Sequence, residues 1–114
     1  VNFCIAYSQI LSRNNLFSLF TTARLINDSA KINVDGLAAD LVSGLDQLAS
    51  RVHYNEIDAV IYLRDPLLVE YDLPNSLMKA CDTNSIPIAT NIATSELLVL
   101  AIDRGDLDWR ELVR

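Results

Sequence analysis

With 114 residues, 51% of them hydrophobic and three each of glycine and proline, the chain is expected to form one domain, residues 1–114. Such a chain can build a core without a metal or disulfide staple and without long disordered stretches. A net charge of −6 with nine scattered Lys and Arg leaves no basic stripe for nucleic acid and no basic amphipathic helix for a membrane surface.

Taken in chain order, "NFCIAY" (Asn2–Tyr7) is short, apolar and aromatic and reads as a strand. In "LFSLFTTARLIND", Leu16, Leu19, Phe20, Ala23 and Ile26 share one helical face, with Asn14 or Asn15 as N-cap. That pattern predicts a helix. "LFSLF" read alone is equally a strand ending at Thr21-Thr22. Lys31–Val34 reads as a short strand. Asp35 then caps a helix to about Tyr54, with Leu37, Leu41, Leu45, Leu48 and Val52 in one apolar stripe.

"IDAVIYL" (Ile57–Leu63) is almost wholly apolar and rich in branched residues, as in a parallel strand covered on both faces. Pro66 and Pro74 make the next segment a long loop. A helix begins near Pro74 and turns Leu77, Met78 and Cys81 inward. "SIPIAT" (Ser85–Thr90) is a second buried strand beside the first. Thr94 or Ser95 caps the following helix, whose buried face is Leu97, Leu98, Ala101 and Ile102. Gly105 ends it, and Asp106 caps a last short helix. Strands alternating with helices predict an α/β fold, a mostly parallel sheet with helices on both faces.

In open parallel sheets, ligands bind beyond the carboxyl ends of the strands. That rule selects Tyr7, Ser8 and Gln9, then Arg64 and Asp65, then Thr90, Asn91 and Thr94. Asp65 also suits a plain turn before Pro66, and Thr94 a plain cap. Asn91 is expected to hydrogen-bond the Asp65 loop and hold the two strand ends together. One histidine, His53, and two distant cysteines, Cys4 and Cys81, predict no metal site and no catalytic triad. No nucleotide fingerprint occurs, and no cofactor is called for. The cysteines suit buried thiols in a reducing, cytoplasmic setting. Asn27-Asp28-Ser29 matches a glycosylation sequon, read as coincidence.

"IDAVIYLRDPL" (Ile57–Leu67) followed by "IPIATNIAT" (Ile86–Thr94) resembles the methylglyoxal synthases. There an Ile-Asp strand ends in Asp-Pro, and a later strand reads Ile-Pro-Val-Ala-Thr-Asn. "GLDQ" (Gly44–Gln47) resembles that family's Gly-Gly-Asp-Gln, which carries a catalytic-base aspartate. "FTTARLI" (Phe20–Ile26) resembles its phosphate loop, Gly-Thr-Thr-Gly. The resemblance implies a three-layer α/β sandwich with a four- to five-stranded sheet and a homohexamer. It also implies a carbon–oxygen lyase that eliminates phosphate from dihydroxyacetone phosphate. Carried over by position, Asp46 and Asp65 are the catalytic carboxylates, and Thr21, Thr22, Thr90 and Asn91 bind the ligand. Within this correspondence the helix starts near Gly44 and "LFSLF" is a strand.

Several family positions differ. The His-Asp and Lys after the first strand fall on Tyr7-Ser8 and Leu11. The phosphate-loop glycines fall on Phe20 and Ala23, and Asp72 stands at the catalytic-His position. These differences predict a non-catalytic member that binds a small phosphorylated or anionic molecule or a protein partner. An active synthase is the alternative.

Overall fold

The computed structural model describes residues 2–37, 41–63 and 76–112. They form two compact units, residues 1–47 and 48–114, and the division falls within one helix.

In the first unit, Asn2–Ala6 is a helix (α1), followed by the short helix Ser8–Leu11 (α2). The expected strand Asn2–Tyr7 is thus corrected. A short apolar run does not declare its period, and here the backbone bonds run from Tyr7 N–H to the Phe3 carbonyl at 3.1 Å. The Phe3 and Tyr7 rings lie 5.0 Å apart, an aromatic pair one helical turn in spacing. Phe17–Leu19 is a strand (β1), and a helix (α3) takes over at Phe20 and runs to Ala30. The family resemblance therefore placed "LFSLF" better than helical periodicity did. A 3.6-residue pattern spread over Leu16–Ile26 merged a strand and a helix.

β1 pairs in parallel with Asp35–Leu37 (β2), in the register Phe17↔Asp35 to Leu19↔Leu37. The strand expected at Lys31–Val34 has moved along the chain, and Asn27 supplies the reason. Its side-chain amide donates to the Val34 carbonyl at 3.3 Å, and its Oδ1 accepts the Val34 N–H at 2.8 Å. Both backbone groups of Val34 are thereby held by a side chain, and the ladder begins at Asp35 N–H, which donates to Leu16 at 2.9 Å. The same two bonds hold the sequon's Asn27 amide in a structural role. Among the described residues of this unit, Leu11, Ala23, Ile32, Val34 and Leu45 are the buried apolar side chains.

Gly36 lies against the start of α3. A Cβ there would stand 3.1 Å from the Phe20 Cα and 3.2 Å from its ring Cδ2. The exposed ring can swing aside, but the backbone atom cannot. Gly36→Ala is expected to lower stability by about 1–2 kcal/mol through overpacking, read as a fall in the urea midpoint at unchanged m-value.

The next helix (α4) spans Leu41–His53. It does not start at Asp35, as periodicity suggests; its first residue, Leu41, lies three residues before Gly44, near which the resemblance implies a start. β2 occupies Asp35–Leu37, so the apolar stripe read through Leu37 joined a strand residue to a helix. Along α4, Leu45, Ala49 and Val52 are buried.

In the second unit, Val60–Ile61 (β3) pairs in parallel with Ile88–Ala89 (β4). The two apolar runs are adjacent, as expected. The ladder extends through Val60 N–H to the Pro87 carbonyl and Tyr62 N–H to the Ala89 carbonyl, at 3.0 and 2.7 Å. Ser76–Asn84 (α5) buries Leu77, Ala80 and Cys81. Desolvation first, then the charge of Asp82, pushes the Cys81 thiol up to about 11, so it is a protonated core group at neutral pH.

Ile92–Asp103 (α6) packs on β4 and buries Ser95 and Val99. The expected face is corrected, because Leu97 is 70% exposed. α6 is apolar nearly all round, so its sequence does not mark an inner side. Gly105, at φ +83°, ends it as proposed: its N–H donates to Ile102, and Asp106 N–H donates to Ala101, a double closure that suits glycine. Asp106 does not cap the last turn. Its carboxylate accepts from Arg104 Nη2 at 2.8 Å, and a 3₁₀ helix begins later, at Asp108–Leu112. Among the described residues, no helix is long and apolar enough to cross a membrane.

Candidate functional site

Thr21 and Thr22 sit in the first turn of α3, directly beyond the carboxyl end of β1, and both are exposed. The N-cap residue is Leu19, in extended conformation, and it makes no side-chain cap bond. A helix of 11 residues that starts this way has no side-chain cap on the N–H groups of its first turn, where the positive end of its dipole lies. Two hydroxyls beside those N–H groups suit a phosphate. Phe20 and Ala23 occupy this turn with opposite fates: Phe20 is half-exposed, at 52%, and Ala23 is buried.

Asp46 lies in the second turn of α4 and is exposed. The later start of that helix brings Asp46 nearer its amino end than a helix from Asp35 would. Thr21, Thr22 and Asp46 all belong to the first unit.

In the second unit, Thr90 follows β4 directly and is half-buried, and Asn91 comes next. Here the sequence reading is corrected. Asn91 itself, not Thr94 or Ser95, is the N-cap of α6. Its Oδ1 accepts the Thr94 N–H at 2.9 Å and the Thr94 hydroxyl at 3.0 Å. Ser95 Oγ donates back to the Asn91 carbonyl at 2.7 Å, which satisfies that buried hydroxyl. The expected partner of Asn91, the Asp65 loop, lies outside the described residues, as do Arg64, Asp65 and Asp72. Asn91→Ala is expected to cost about 1 kcal/mol, the usual worth of an N-cap. Glu96→Ala, at an exposed position, should stay within about 0.5 kcal/mol. Paired chemical denaturation curves check both.

Sequence reasoning missed one buried polar group. Arg110 is 5% exposed, and its Nε donates to Asp58 Oδ1 at 2.9 Å while Nη2 donates to Asn55 Oδ1. Fifty-two residues separate Arg110 from Asp58, so no local spacing signals the pair. Among the described residues, no group of three or more His, Cys, Asp or Glu is placed to hold a metal ion.

No family model matches the chain. Individual relatives do. The methylglyoxal synthase of Caldicellulosiruptor saccharolyticus is 48% identical over 115 residues, covering 99% of this chain and 82% of that protein. The chain belongs to the methylglyoxal synthase family. The methylglyoxal synthase of Clostridioides difficile strain 630 is 42% identical, over 98% of this chain and 83% of its own length. The crystal structure of the methylglyoxal synthase from Elizabethkingia anophelis NUHP1 superposes with a TM-score of 0.76 at 23% identity. The match covers 86% of this chain and 66% of that one, and it shows the α/β sandwich fold.

The fold also removes one argument against synthase chemistry. Placing the family's His-Asp and Lys at Tyr7-Ser8 and Leu11 required Asn2–Tyr7 to be the first strand. Those residues lie on and between two helices, α1 and α2, so they do not follow a strand end.

Proposed function

We propose that the chain acts as a methylglyoxal synthase, a carbon–oxygen lyase converting dihydroxyacetone phosphate to methylglyoxal and phosphate. The observation that carries this reading is 48% identity to a protein of that name over 99% of the chain. The non-catalytic reading drew on Tyr7-Ser8 and Leu11, on Asp72 at the catalytic-His position and on Phe20 and Ala23; the helical course of Asn2–Leu11 withdraws the first of these, and Asp72 lies outside the described residues.

In this reading the phosphate docks on the first turn of α3, held by the Thr21 and Thr22 hydroxyls and the helix-end N–H groups. Asp46 removes a proton from the hydroxymethyl carbon beside the carbonyl, leaving an enediolate. The hydroxyl oxygen on the deprotonated carbon gives up its proton and becomes the aldehyde C=O, the C=C shifts toward the phosphate-bearing carbon, and the C–O bond to phosphate breaks with its electron pair leaving on the phosphate. The enol that remains gains a proton at its methylene carbon and loses its O–H proton, which gives methylglyoxal. By resemblance to the family, Asp65 is the second catalytic carboxylate, and Thr90 and Asn91 bind the ligand. A homo-oligomer and a cytoplasmic setting belong to the same proposal.

One observation favours a second reading. Phe20 and Ala23 stand where the family's phosphate loop has glycines, and a side chain there limits close backbone approach to the anion. The chain would then bind a small phosphorylated ligand without turning it over. Initial rates with dihydroxyacetone phosphate separate the two. Turnover of about 1 s⁻¹ or more, within the ordinary enzyme range, is the expected result. Saturable binding of inorganic phosphate with no product would establish the second reading instead.

A further inference from the structure

We draw no further inference here: the strongest candidate, the apolar flank of α6 that leaves Ile92, Leu97 and Leu100 exposed, carries nothing because nothing in the structure shows what covers it.

Discussion

Asp46→Asn is expected to lower kcat for dihydroxyacetone phosphate by about 10²–10⁴-fold, the usual contribution of a positioned general base. A carboxamide keeps the size and polarity of the side chain but cannot take up the proton. The substitution should leave the fold intact, because Asp46 is an exposed helix residue rather than a core group. KM should change little, since in the proposed mechanism the phosphate is held by Thr21, Thr22 and the amino end of α3 and not by the base. Steady-state kinetics beside a thermal melt check both halves. A variant that melts like the parent and retains its kcat would assign the proton to another group.

Arg110→Ala is expected to have the largest effect on stability. The guanidinium is 5% exposed and bonds two side chains, on Asn55 and Asp58. Asn55 has φ +59° and closes the end of α4, its N–H donating to Val52 and the next N–H, of Glu56, to Arg51. Asp58 stands just before β3. One side chain thus ties the last helical turn to the end of α4 and the entrance of β3. Truncation removes two hydrogen bonds donated by a charged group, one of them an ion pair, and empties a buried site. The Asp58 side chain is 40% exposed, so water recovers part of its solvation, and the cost falls below that of a fully buried pair. About 2–3 kcal/mol is expected, or a fall in Tm on the order of 10 °C. Arg104→Ala is the control. Its pair with Asp106 is as short, at 2.8 Å, but both side chains are at least half exposed, and the melt should barely move. Equal losses in the two variants would show that the Arg110 network adds nothing beyond a surface pair.

The parallel pairing of β3 and β4 was legible because both runs are apolar and branched, with no polar alternation, and turn signals bound them. The closure at Gly105 was legible because a glycine after an apolar helix has a specific use there. The amino-terminal third was harder to read. "NFCIAY" suits either element on composition, and the Phe3–Tyr7 pair gains meaning only once the helix is known. "LFSLFTTARLIND" holds a three-residue strand too short to show its own period. The apolar stripe through Leu37 crossed from β2 into α4. At the hinge after β4, Thr94 and Ser95 compete with Asn91 for the cap on residue type alone. Asn91 takes it because its extended backbone and short side chain bring Oδ1 to the Thr94 N–H. Thr21, Thr22 and Asp46 could be singled out by resemblance. Their places on helices that begin at Phe20 and Leu41 came only with the fold.

The central claim is that this chain performs the elimination itself, and a time course recording phosphate and methylglyoxal together in one reaction with dihydroxyacetone phosphate tests it most directly. The account predicts that both products rise from the start, one for one, and that both cease in the Asp46→Asn protein. Phosphate released without methylglyoxal, or neither product formed while the sugar phosphate remains bound, would contradict it.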